Sequence, residues 1–96
     1  METKYKIDIS FTYVDEVNPE NERPGSCDID IKLFERFFQL AFTGCDMISC
    51  EKKGYTFECI FQTSIEYRDF MMKIPVFRFK VSGKLAKVAD ISIIVV

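Results

Sequence analysis

Polar and apolar residues alternate without a break from Tyr5 to Tyr13. Tyr5, Ile7, Ile9, Phe11 and Tyr13 point one way, and Lys6, Asp8, Ser10 and Thr12 the other. A period of two predicts a strand with one buried face. From Ile31 the period changes. At about 100° per residue, Lys32, Glu35, Arg36, Gln39 and Thr43 share an arc of roughly 100°, while Ile31, Leu33, Phe34, Phe37, Phe38, Leu40, Ala41 and Phe42 fill about 200°. The pattern predicts a helix from Ile31 to about Thr43 with an apolar arc wider than one flat sheet covers. Either a curved sheet wraps it, or another subunit or a partner covers its flanks. Asp30 would project from the middle of that arc if it were helical, so it is the predicted N-cap, and Gly44 is the predicted stop.

Cys45–Cys50 and Tyr55–Phe61 read as a hairpin around Glu51-Lys52-Lys53-Gly54, with Tyr55, Phe57, Cys59 and Phe61 on one face. Residues 64–74 carry two signals. Thr63-x-x-Glu66 fits a capping box, and Tyr67, Phe70, Met71 and Ile74 have helical spacing, but the same residues also extend a strand around a bend. Strand is the reading adopted here. Phe77, Phe79 and Val81 alternate with Arg78, Lys80 and Ser82, and a tight turn at Ser82-Gly83-Lys84 returns the chain through Leu85 to Val96. Ile91–Val96 is apolar on nearly both faces, as in a central strand or one that a partner covers.

The predicted fold class is therefore α+β, with one amphipathic helix on a curved antiparallel meander in the order β-α-β-β-β-β. That order resembles the way cystatin-like and hot-dog-like domains wrap a helix. The likeness is architectural only, because Gln62-Thr63-Ser64-Ile65-Glu66 does not match the cystatin Gln-x-Val-x-Gly signature and no hot-dog active-site pattern is present. A ferredoxin-like sandwich is the alternative if residues 64–74 form a second helix. The 96 residues, 48% apolar, suffice for one core, so residues 1–96 are expected to form a single domain.

Between the first strand and the helix, Asn18-Pro19 and Pro24-Gly25 predict a surface loop over about residues 15–28. The stretch from Asp15 to Asp30 is acidic: Asp15, Glu16, Glu20, Glu22, Asp28 and Asp30 face only Arg23. Residues 1–50 carry ten acids and five bases, net −5, and residues 51–96 carry five acids and eight bases, net +3. The surface is thus expected to be dipolar, with Asp15, Glu16, Glu20 and Glu22 as a candidate docking site for a basic protein partner. Arg78, Lys80, Lys84 and Lys87 form a candidate basic stripe on the outward face of the last hairpin. Phe77 and Phe79 face away from it, and the pI is near 5.1, which argues against nucleic acid as the partner.

There is no histidine, which removes Ser-His and Cys-His nucleophile pairs and the imidazole base. Asp8 and Glu58 lie on strands with no sequence reason to meet in a cleft, and the isolated glycines make no phosphate loop. Four cysteines (Cys27, Cys45, Cys50, Cys59) contain no C-x-x-C knuckle, so core thiols are favoured over a metal site and no cofactor is expected. Neither a signal segment nor a run of ~20 apolar residues is present, so a cytoplasmic protein with reduced thiols is expected. These features favour a non-catalytic protein that acts by protein–protein contact, as a homodimer or within an assembly. They also suit an inhibitor or regulator from a phage or mobile element that presents an acidic surface. A small-ligand carrier with a cavity lined by Phe37, Phe57 and Phe61, and a nucleic-acid binder using the last hairpin, are the competing readings.

Overall fold

The structure, a computed structural model, describes residues 2–14, 17, 18, 20, 22–25 and 28–96. Its central element is the first strand, β1 (Thr3–Val14), whose alternation places Tyr5, Ile7, Ile9, Phe11 and Tyr13 in the core. β1 is flanked by β4 (Thr56–Thr63) and β6 (Lys84–Val95), both antiparallel to it, and the sheet order is β3-β4-β1-β6-β5, with β3 at Cys45–Lys53 and β5 at Arg78–Val81. Twelve residues of strand, the length of β1 and of β6, span roughly 40 Å at about 3.3 Å each, comparable with the 44 Å long dimension.

β4 stops pairing at Ser10, and a three-residue strand, β2 (Glu22–Pro24), takes over that edge of β1 opposite Thr12–Val14. The expected surface loop is thus partly paired. The reason lies in the backbone: peptide groups of β1 beyond Ser10 need partners whatever the side chains of the incoming segment. Thr12 Oγ1 donates to the Arg23 carbonyl at 2.7 Å, and the Gly25 N–H donates to Phe11 O at 3.1 Å. Gly25 lies so close to β1 that a Cβ there would sit 3.0 Å from the Tyr13 ring.

The helix α1 spans Ile31–Ala41, two residues shorter than its pattern predicted. Asp30 caps it, its carboxylate accepting from the Leu33 N–H at 2.8 Å. Gly44, at φ +89°, turns the chain from the Phe42 cap into β3. Phe34, Phe38 and Phe42, at i, i+4 and i+8, are fully buried. Phe34 stacks on Phe57 of β4 at 4.4 Å, while Phe37 stacks on Phe79 of β5 at 4.6 Å. One helix thus touches strands on both sides of β1, as a curled sheet allows. The curl accounts for most of the wide arc; Leu40, 68% exposed, is the large residue it leaves uncovered.

Residues 64–74 correct the strand reading. They form α2 (Tyr67–Lys73), followed by a 3-10 turn at Ile74–Val76, so the single-helix order gives way to β-β-α-β-β-α-β-β. Burial decides the matter: as a helix the segment aims Phe70 at Phe38, Phe42 and Phe61 and also buries Ile74. The capping box does not form. Thr63 Oγ1 donates to the Gly44 carbonyl at 2.8 Å and accepts from the Ile65 N–H at 3.0 Å, and the N-cap is Glu66. A second helix was the condition for the ferredoxin-like alternative, but here it leads into the β5–β6 hairpin rather than a single last strand. That hairpin turns at Ser82-Gly83, both at positive φ, as a two-residue type I′ turn requires.

Candidate functional site: the open edge of the last strand

β5 has four residues and β6 has twelve, so β5 covers β6 only over Lys84–Lys87. Beyond Val88, no strand among the described residues lies along the outer edge of β6. The direction of its peptide groups follows from one hydrogen bond. Val96 N–H donates to Lys4 O at 3.0 Å, and hydrogen-bonded pairs alternate along an antiparallel ladder. Ile94 and Ser92, opposite Lys6 and Asp8, therefore bond to β1, whereas Ile91, Ile93 and Val95 turn their N–H and C=O groups outward.

The side chains of this edge are apolar. Ile91 and Ile93 are half-buried on the inner face, and Ile94, Val95 and Val96 are 53%, 68% and 55% exposed. The other edges are guarded. β3 carries Asp46, Glu51, Lys52 and Lys53 and an irregularity between Met47 and Ser49, and β5 is short and carries Arg78 and Lys80. Charges, bulges and shortness are how sheets keep their edges from pairing. On β6 the ladder is irregular at Ala89, and Asp90 is the last charge before five uncharged strand residues.

The predicted acidic site is only partly placed. Asp15 and Glu16 lie outside the described residues, Glu20 is exposed in a turn, and Glu22 belongs to β2. The basic stripe is divided. Arg78 and Lys87 are cross-strand partners on the outer face with Lys80 beside them, but Lys84 lies on the other face with its Nζ 5.2 Å from the Tyr13 ring centre. Its sequence position two residues before the inward Ala86 carried that signal.

Asp8 and Glu58 do meet: they are register partners on the outer face of the sheet. Glu58 is held in ion pairs with Lys53 at 3.2 Å and Lys6 at 3.3 Å, and Lys53 also reaches Glu51 at 3.7 Å. Hydrogen bonds from Lys53 and then Lys6 draw the Glu58 carboxyl below the usual glutamate range. A lowered folded-state value adds stability above the unfolded pKa and loses it as pH falls through the folded one. Because the group is exposed, the contribution is small and salt-screened. Carboxyl NMR should show Glu58 titrating below an ordinary glutamate, and Lys53→Ala should raise its midpoint.

Phe37, Phe57 and Phe61, the residues that would line the cavity of the competing small-ligand reading, each pack against another ring: Phe57 and Phe61 against Phe34 and Phe38, and Phe37 against Phe79. A depression lies on the opposite face of the sheet, lined by Asp8, Ser10, Thr56, Asp90, Ile91 and Ser92. Among the described residues no group of three acids or cysteines is arranged to hold a metal ion, and no helix is long and apolar enough to cross a membrane. Comparison with known families, with characterised proteins and with solved structures finds no match.

Proposed function

We propose that this protein is a non-catalytic module that works by strand pairing with another protein chain, and that a second copy of itself is its first partner. The observation that carries this reading is the unguarded edge Ile91–Val95, with outward peptide groups and exposed apolar side chains on a sheet whose other edges are protected. The segment is self-complementary in an antiparallel sense. A two-fold axis at Ile93 sets Ile91 opposite Val95 of the second copy and Ser92 opposite Ile94, and it keeps the two Asp90 carboxylates from facing each other. The chain also lacks histidine, and the outer-face carboxylate of Glu58 is occupied by two lysines.

Sedimentation velocity tests the proposal. The expected result is a species of twice the 11.2 kDa chain mass at micromolar concentration. A monomer at every accessible concentration would sink it. Pairing through Ile91–Val95 should also respond little to salt and to replacement of Glu16, Glu20 and Glu22 by Gln. Dissociation by salt or by the triple substitution would instead favour the acidic segment as the contact surface.

A further inference from the structure

Cys50 and Cys59 are cross-strand partners in the β3–β4 hairpin, and their sulfurs are 2.9 Å apart. We propose that they form a reversible disulfide by exchange with a small disulfide such as oxidised glutathione, which makes the hairpin a redox-responsive staple. A disulfide needs about 2.05 Å between sulfurs and compatible Cβ positions. Directly opposed strand residues hold their Cβ atoms about 4.5–5.5 Å apart, close to the roughly 3.5–4.5 Å that a disulfide spans, so a small closure of the pair with under ~1 Å of sulfur approach meets both conditions.

The two thiols differ in a way that assigns their roles. Cys50 sits half-exposed on the edge strand β3, whereas Cys59 is fully buried on the inner face of β4. The hydrogen bond from Cys59 favours the thiolate of Cys50, and that bond together with burial holds the proton on Cys59. The accessible, more acidic sulfur is the attacking one.

In the first step the Cys50 thiolate attacks one sulfur of the oxidised glutathione, forming a mixed disulfide and expelling a glutathione thiolate. In the second, Cys59 gives up its proton, its sulfur attacks that of Cys50, and a second glutathione thiolate leaves. Two protein thiols are oxidised and one small disulfide is reduced to two thiols, and the two released protons end on the glutathione thiolates or in solvent. Cys45, the other cysteine described, faces Thr63 instead of a thiol, and burial raises its pKa.

The test is to equilibrate the folded protein with glutathione buffers of increasing oxidised fraction, then count thiols and map linked peptides by mass spectrometry. The expected result is loss of two of the four thiols, one Cys50–Cys59 link, and full recovery with dithiothreitol. Cys59→Ser should stop at glutathione on Cys50, and Cys50→Ser should leave Cys59 unmodified; circular dichroism checks that each variant is folded. A glutathione adduct that persists on Cys50 of the wild type would overturn the proposal. So would a link that involves Cys27 or Cys45, or four thiols that resist oxidation while the unfolded chain reacts.

Discussion

Phe38→Ala should lower the unfolding free energy by about 3–5 kcal/mol, the cost of deleting a fully buried phenylalanine and leaving a cavity. The ring is the meeting point of the core. Phe34, Phe42 and Phe61 lie 4.8–5.7 Å away between centroids, and Phe70 and Phe77 lie 6.5 and 6.3 Å away. α1, β4, α2 and the segment entering β5 therefore all lose contacts at once. Such a loss is a large share of the roughly 5–15 kcal/mol that stabilises a domain. Phe37 shares the apolar arc but is half-exposed and, among the described residues, stacks on Phe79 alone, so Phe37→Ala should cost clearly less. Urea titrations of the two variants make the comparison. Equal losses would mean that α1 is anchored by its flank rather than by its central stripe.

The elements read correctly from sequence are those whose side chains carry a period. β1 declares itself by strict alternation and α1 by its arc and by Asp30, the one polar residue that only a cap position accommodates. Both signals are local. α2 was ambiguous because seven residues with aromatics at helical spacing fit either state, and only the ring of Phe70 closing over Phe38 and Phe42 decides it. β2 was invisible because it pairs through backbone, which leaves no side-chain pattern.

The sites were hidden for a different reason, since they depend on register and on strand length. Cys50 meets Cys59 because the hairpin turns tightly at Gly54-Tyr55, with Gly54 at φ +62° and Lys53 paired to Thr56. The wider turn read from Glu51-Lys52-Lys53-Gly54 puts Cys50 elsewhere. A glycine suited to the first position of a type II′ turn was the available clue. The apolar character of Ile91–Val96 was legible, but its open edge was not: that edge exists because β5 begins only at Arg78, after the 3-10 turn, and covers only four residues of β6.

If that edge joins two copies, Ile94→Lys combined with Val95→Pro should weaken dimerisation at least tenfold while leaving the monomer folded. Val95 turns its N–H away from β1, so proline removes an outward donor without breaking the ladder that holds β6, and an edge is where strands accept proline. Ile94 lies on the outer face opposite Lys6, is 53% exposed, and can change without opening the core. A two-fold interface counts each substitution twice. At about 0.5–1.5 kcal/mol per hydrogen bond, losing one symmetric pair costs roughly 1–3 kcal/mol, and 1.4 kcal/mol is already a factor of ten in affinity. Two lysines placed in the paired strands add the charge that natural sheets use to keep edges apart. Sedimentation of the variant beside wild type, with thermal unfolding as the control for fold, reads the effect. A variant that dimerises like wild type would remove β6 from the interface and leave Leu40 on the flank of α1 as the surface to test next.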